Sequence, residues 1–466
     1  VNIELNGLGL MKTLPLSIAA IVSAMPLISY AEDQVSVTTA AASTKQLNAL
    51  IELALDSDTS RAQYAAQSQA MRQRGAASAT LMDPKIKVGF GGLPTDSFKL
   101  DEDPMTNLSV GLMQQFERGS TLALNQRKAN QQADGVSYQI QVRERDVANA
   151  ITQQWLELGY LRYAASVIQD NQRLMTEMER YAQTNYSIGK SEAQDLLNVQ
   201  LQRNKLDEKY QSNQQMQHRA KAQLSEWLGS QWLDSNPDID ASYQLSWSHL
   251  DGILQSNDGS QQFYTLLNQH PMAQIAESNI AASRTQVEVA EQAYTPQVGV
   301  EVMYAHRQAN NMMGEPASDL LSAYLTMDIP LFTDNRQDKN VSAAQYQVGA
   351  AQYQKDTLLA QMNAQVNALM IDRTNLKERI ERYQLRLLPQ MTARIEAVER
   401  GYQNNTAQFG DVITASTDEL ALKVELARLI TDLNQTNSKL ASLLGGFEYQ
   451  VSAPSAQYNK NKGNSK

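Results

Sequence analysis

Hydrophobic positions along this chain follow two different rhythms. Around residues 84–92, 107–116, 296–305 and 319–330 they alternate with polar ones. Ile86, Val88 and Phe90 oppose Lys85, Lys87 and Gly89, and Leu108, Val110 and Leu112 oppose Asn107, Ser109 and Gly111. Val298, Val300 and Val302 oppose Gln297, Gly299 and Glu301. Leu321, Ala323, Leu325, Met327 and Ile329 oppose Ser322, Tyr324, Thr326 and Asp328. Period two with one apolar face predicts four strands of a half-buried sheet. Elsewhere the rhythm is helical. From about Thr121 to Tyr186 there is no proline and only Gly135 and Gly159, which predicts one helix on the order of 100 Å long. A second long helix is expected from about Gln337 to Tyr402, interrupted by Gly349, Pro389 and Gly401. Leu359, Val366, Ile380 and Leu387 follow a seven-residue track broken by Arg373, and Met362, Leu369, Leu376 and Tyr383 follow another. In the last helix Leu426, Leu433 and Leu440 keep the spacing, with Leu422 and Leu429 on a partner track that Thr436 breaks. Such tracks specify coiled-coil packing.

The pattern is written twice. Each half reads helix, strand, strand, very long helix, short break, helix. Asp83-Pro84-Lys85-Ile86-Lys87-Val88 opens the first strand pair and Thr295-Pro296-Gln297-Val298-Gly299-Val300 the second, with the two prolines 212 residues apart. Tyr186-Ser187-Ile188-Gly189 falls on Tyr402-Gln403-Asn404-Asn405 at an offset of 216, and Asp195-Leu196-Leu197 falls on Asp411-Val412-Ile413 at the same offset. The expected organisation is a first repeat at 43–229, a connector at 230–258 wrapped outside the helices, a second repeat at 259–446, and a disordered tail at 447–466.

Four strands cannot close a barrel, for which about eight is the practical minimum. Open sheet edges in lipid would leave backbone groups unpaired. The expected fold is therefore mainly α with a small β part whose four strands are completed by other copies of the chain; three copies would give a twelve-stranded transmembrane β-barrel, and the family resemblance set out below implies that trimer, continued by a long α-helical coiled-coil tunnel. The links at 91–106 and 305–319 are long and polar, like extracellular loops, and Phe98, Tyr304 and Phe332 sit where an aromatic girdle would lie. The competing reading is a secreted coiled-coil structural protein, against which the amphipathic strands argue.

Composition narrows the chemistry. The chain has 466 residues, no Cys and a net charge of −10. Disulfides and thiolate sites are excluded, and nucleic acid, which needs a basic surface, is disfavoured. The four histidines (His218, His249, His270, His306) are scattered without metal-ligand spacing. A phosphate loop, a nucleophile elbow and a His–carboxylate pair at workable spacing are all missing. The expectation is no enzyme, no cofactor and no metal site. Met11-Lys12, the apolar stretch Leu14 to Leu27 and Ser29-Tyr30-Ala31 read as a secretory signal peptide cleaved after Ala31, with Val1 to Leu10 an upstream extension. Beyond it, no run approaches the ~18 apolar residues of a membrane helix.

With the duplicated turn segments and strand pairs in view, the chain resembles the TolC-type outer-membrane efflux family over roughly Ser43 to Gly446. Asp83-Pro84, Gly92-Leu93-Pro94-Thr95-Asp96-Ser97, Asp103-Pro104-Met105-Thr106 and Val110-Gly111-Leu112-Met113-Gln114-Gln115-Phe116-Glu117-Arg118-Gly119 are similar to the heavy-metal branch of CzcC-like and CusC-like proteins that partner RND-type pumps. The resemblance implies a homotrimer in the outer membrane of a Gram-negative bacterium, in contact with its lipid. A periplasmic adaptor and an inner-membrane RND-type pump would dock at the far end, and heavy-metal cations would be the cargo; a duct for drugs or for a secreted polypeptide is the alternative. The expected gate lies at the periplasmic mouth. There Asp195 and Asp411 of three chains would ring the axis and attract cations, a role compatible with simple helix capping. Tyr402 matches a family position whose hydroxyl helps hold the mouth closed, and Tyr186 is its repeat mate. Gly189 and Asn405 are the turn residues. Asn198 and Thr414 stand where some relatives carry a second aspartate, and Ala407 stands where some carry a latching arginine.

Overall fold

The computed structural model describes residues 31–456 except 191, 237–238, 257–259 and 405. The signal-peptide segment before Ala31, Asn405 and the last ten residues of the expected tail lie outside the described residues. Helices α1 (Ala31–Ser57) and α2 (Thr59–Ser78) lead into strands β1 (Lys85–Gly91) and β2 (Asn107–Gln115), then α3 (Thr121–Ser187) and α4 (Ala193–Leu228). After α5 (Ser230–Ser235), α6 (Ser248–Ser256) and α7 (Ser260–Asn268) the order recurs as α8 (Pro271–Glu291), β3 (Gln297–His306), β4 (Leu320–Asp328), α9 (Gln337–Arg382), α10 (Leu388–Gln403) and α11 (Phe409–Leu444). The three short helices α5–α7 have no counterpart in the sequence pattern.

The sheet runs β1-β2-β3-β4, antiparallel throughout, so β2 and β3 pair although the whole first helical passage separates them in sequence. Its register puts the four apolar faces on one side. Val88 pairs Val110, Val110 pairs Tyr304, and Tyr304 pairs Leu321. A second row holds Ile86, Leu112, Val302 and Ala323. This apolar side is uncovered in the monomer: Val88 is 74% and Leu325 68% exposed. The opposite side carries Lys87, whose Nζ meets Glu301 Oε2 at 2.7 Å. Strands β1 and β4 are edges, each with one unpaired row of backbone groups.

All four helix–strand joints lie at one end of the sheet. Arg118 fastens them: its guanidinium donates to the carbonyls of Ala293 (3.1 Å) and Thr295 (3.0 Å) and pairs with Asp328. At the other end Arg307 ties the two loops together through Ser318 O (2.7 Å) and Pro104 O (3.4 Å). Of the aromatics expected at the rims, Phe98 and Tyr304 lie toward the loop end, and Phe332 lies just beyond β4 at the helix end.

Helix α3, with 67 residues, spans about 100 Å. Along its first half it packs on α2 and α8, and along its second half on α4 and α11; α9 packs on α8 and then on α11, and α10 on α11. Between α9 and α10 the residues Tyr383–Leu387 form a π turn. Pro389 has no N–H and its ring crowds the preceding turn; the wider π turn absorbs the misfit without ending the rod. Among the described residues no helix is long and apolar enough to cross a membrane.

Midway along α3 the connector crosses so closely that only glycine fits. A Cβ on Gly159 would sit 2.2 Å from the Ser242 carbonyl carbon. Polar residues, among them the Arg373 that breaks a heptad track, are used here. Asn434 accepts from Trp247 Nε1 (2.7 Å) and donates to Tyr243 O (3.0 Å), Arg373 Nε donates to Asn437 (2.8 Å), and Ser438 donates to Asn149 (2.7 Å). The stretch expected to begin a disordered tail instead packs: Phe447, Tyr449 and Val451 lie against the core around Trp155. Arg61 donates to Ser452 O (2.7 Å) and Gln450 N–H to Glu52 Oε1 (2.9 Å). Three apolar side chains at alternating positions are enough to hold an extended strap, and burial pushes the Tyr449 phenol up to about 12.

His270 caps α8. Its Nδ1 accepts from Met272 N–H (3.2 Å), which leaves the proton on Nε2 to meet Ser442 O (3.2 Å). Burial, aided by the Arg145 charge, pulls the imidazole down to about 4, against a smaller opposing effect of the Ser442 carbonyl.

Two outcomes follow from this packing. Gly159→Ala should cost about 1–3 kcal/mol through overpacking, read as a lower denaturation midpoint in detergent; a higher midpoint would mean that the helix gain of alanine wins and the connector yields. His270 is neutral when folded, while its unfolded pKa is near ~6.5. Its contribution is therefore complete above that pH and is lost as pH falls from there toward about 4. His270→Asn, which keeps a capping oxygen, should flatten the acid loss between those limits when midpoints are compared across pH.

Candidate gating site at the helical tip

The far ends of the long helices lie some 65 residues of helix from the sheet. There α3 and α4 form one hairpin and α10 and α11 another. The first turn closes on Gly189, at φ +73°, a conformation that side-chain-bearing residues adopt at a cost. Lys190 N–H bonds Asn185 O (2.8 Å) and Gly189 N–H bonds Tyr186 O (3.0 Å), which satisfies the last carbonyls of α3. In the second turn Thr406 N–H bonds Gly401 O (2.7 Å). Each hairpin is braced by an ion pair, Arg203–Glu179 at 2.5 Å in the first and Arg394–Asp418 at 2.6 Å in the second.

The predicted site residues take different places. Asp411 is the third residue of α11 and completes a capping box: Gln408 N–H donates to its Oδ2 at 2.9 Å. Asp195 stands in the first turn of α4, where the helix dipole favours a carboxylate. Both therefore serve as helix-start residues within the chain, whatever they do around an axis. Tyr186 is exposed on the outside of its turn.

Tyr402 is held differently. Its hydroxyl donates to that of Tyr181 on α3, 3.4 Å away, and its ring lies 6.3 Å from the Tyr181 ring and 5.6 Å from that of Phe409. Tyr181 and Phe409 are 6.2 Å apart, so the three rings close a triangle between the hairpins. The cluster caps a small core to which α3 and α4 give Met178, Ala182, Val199 and Leu206, and α11 gives Phe409, Ile413 and Leu420. Burial, the bond with Tyr181 and the nearby Asp195 charge all hold the Tyr402 phenol well above its ordinary range. The sequence reading selected Tyr402 and its repeat mate Tyr186, but the residue that meets Tyr402 is Tyr181, one and a half turns earlier on α3. No sequence signal separates the two tyrosines; only the crossing of the hairpins does. Among the described residues no group of His, Asp or Glu side chains could hold a metal ion.

The arrangement is a closed pair of hairpins at the end of a long helical wall, with carboxylates on the helix starts and aromatic rings between. Residues 263–446 match the model of the outer membrane efflux protein family. No curated protein matches the chain. Several solved structures share its fold, among them three outer membrane proteins. CusC, described in relation to transmembrane channel formation, aligns with a TM-score of 0.68 at 16% identity, covering 86% of this chain and 92% of its own. The outer membrane protein VceC from Vibrio cholerae gives 0.69 at 16% identity, with 87% and 97% covered. The Campylobacter jejuni CmeC outer membrane channel gives 0.65 at 12% identity, with 87% of each chain covered. The chain shares the fold of these outer membrane channels. The family whose model the second half matches is one of outer membrane efflux proteins.

Proposed function

We propose that this chain is the outer-membrane channel subunit of a tripartite efflux system, a passive exit duct that works as a homotrimer. The observation that carries the reading is the uncovered apolar face of a four-stranded sheet with two open edges, joined at one end to a helical wall about 100 Å long. In lipid, the edges are satisfied only against the β1 and β4 strands of sister copies, which gives twelve strands, a lipid-facing apolar side and a lumen lined by Lys87, Glu301 and their neighbours. The helices then cross the periplasm, and the tips meet a periplasmic adaptor and an inner-membrane RND-type pump that supplies the energy. The cargo we assign is heavy-metal cations, on the similarity of the first strand pair to CzcC-like and CusC-like proteins.

At the mouth, Asp195 and Asp411 of three chains bring six carboxylates around one axis, a ring that concentrates cations and repels anions. The capping bond from Gln408 N–H fixes where the Asp411 charge stands. Asn198 and Thr414 leave the ring at two carboxylates per chain, with the weaker cation block this implies.

Two measurements test this. The mature protein should fractionate with the outer membrane and cross-link as a trimer; a monomer freely soluble without detergent would end the duct reading. In planar bilayers, Asp195→Asn with Asp411→Asn removes both charges and keeps the Asp411 capping oxygen. It should raise the concentration of divalent cation needed for half block several-fold, and unchanged block would remove the ring.

A further inference from the structure

The side of the sheet that carries Lys87 departs from its own pattern at two places. Glycine, hydroxyl, amide and charged residues fill most of it, but Met113 on β2 and Met303 on β3 stand there too. Lipid accounts for apolar residues on the other side and not for these. A strand is served as well or better by valine or isoleucine. What methionine adds is a donor atom, a polarisable thioether on a flexible stem.

The register brings the two together. Gly111 pairs Met303 and Met113 pairs Glu301, so the methionines are diagonal neighbours on adjacent strands, a spacing of about 7–8 Å that long side chains bridge. Gly111 leaves the ground beside them bare: a Cβ there would lie against the Met303 stem, 3.4 Å from its Cβ and 3.5 Å from its Cγ. Lys87 uses the same gap. From its place opposite Gly111 on β1 it crosses β2 and sets its ammonium on the Glu301 carboxylate, 2.7 Å from Oε2 and 2.9 Å from Oε1. The Glu301 side chain is 16% exposed and that of Lys87 54%. The acid is thus seated in the sheet, while its cation reaches it from the solvent side on a long, flexible stem.

We propose that Met113, Met303 and Glu301 form a transit site for a soft monovalent cation, Cu(I) or Ag(I), and that the Lys87 ammonium is a tethered stand-in which the passing ion displaces. The inference rests on the duct reading above and narrows its cargo. It needs no cluster of His and carboxylate groups, none of which occurs among the described residues. Thioethers select soft ions over hard ones. One carboxylate balances one positive charge, so a monovalent ion leaves the site neutral, as Lys87 does. A divalent ion leaves excess charge next to Lys85, which stands opposite Met113 on β1. Conduction also requires that binding be weak enough for the ion to leave. Lys87 supplies the release, because its ammonium competes for the same oxygens. No electron moves; the ion and the ammonium exchange places.

The test is calorimetric titration of the full-length protein in detergent with silver nitrate, in chloride-free buffer. Met113→Leu and Met303→Leu keep the bulk and lose the donor. Each should weaken one Ag(I) site per chain by about ten-fold or more, since even outer-shell changes cost that much at metal sites. Lys87→Gln frees the carboxylate and should tighten the same site, and Glu301→Gln should weaken it. Met312→Leu, on the fully exposed loop tip, reports the background of surface thioethers and should leave the site intact. The proposal is overturned if both Met→Leu variants bind Ag(I) as the unaltered protein does, if Lys87→Gln fails to tighten binding, or if Zn(II) competes at equal concentration. In planar bilayers with nitrate salts, Ag(I) should slow the current of the unaltered protein and not that of the double Met→Leu variant. A protein that conducts with no response to Ag(I) loses the site alone. A protein that binds Ag(I) through these residues and never conducts loses the duct, and the transit role with it.

Discussion

Backbone groups that have nowhere to bond govern this molecule. In water an open strand edge is solvated, and a small amphipathic sheet survives with one side covered. Here the sheet has two free edges, and its apolar side is bare from Val88 through Leu321. Neither feature suits an isolated soluble monomer. Both suit a wall segment whose neighbours are identical segments and whose outer surface meets hydrocarbon. The helices hang from this sheet, because α2, α3, α8 and α9 all leave from the same end of it, and Arg118 holds the strand ends and helix starts in one joint.

The helical wall solves a length problem. One rod, α3, runs unbroken from the sheet to the tip, and α9 with α10 makes a second of comparable span. Shorter helices pack beside them, α2 and α4 along α3 and α8 and α11 along both rods. Midway along α3 the connector and the C-terminal strap pack against the wall. Buried polar residues are used at this level: Asn434 gives the crossing backbone a partner at Tyr243 O, while Asn437 and Ser438 bond the side chains of Arg373 and Asn149. The same crossing fixes Gly159, where helix propensity alone would favour alanine.

Much of this was legible in the chain. Strict alternation at Ile86, Val88 and Phe90 and at the three later strands can only be read as one-sided strands, and the long stretch without proline from Thr121 onward as one helix. Heptad tracks marked Leu359, Met362 and Val366 as inward-facing, and they are buried. What periodicity left out has no period. The connector and the strap are held by scattered anchors, among them Trp247 on Asn434 and Phe447, Tyr449 and Val451 on the core around Trp155, and isolated apolar residues among polar ones read as loop or tail. The π turn before Pro389 was equally hidden, since heptad counting assumes a uniform helix.

At the tip the division is sharpest. Local rules settled the turns and the helix starts: glycine at position 189 for a left-handed residue, and Asp195 and Asp411 for the dipole ends of α4 and α11. These depend on near neighbours in the chain, so the sequence by itself determined them, as it did the strands, the rods and the side of the sheet that is apolar. Which tyrosine of α3 faces Tyr402 depends on how one hairpin lies across another, a long-range packing outcome set by the shared core of Met178, Val199, Phe409 and Ile413. Side-chain partners more than 200 residues apart carry no local signature, and only the tertiary structure decided them.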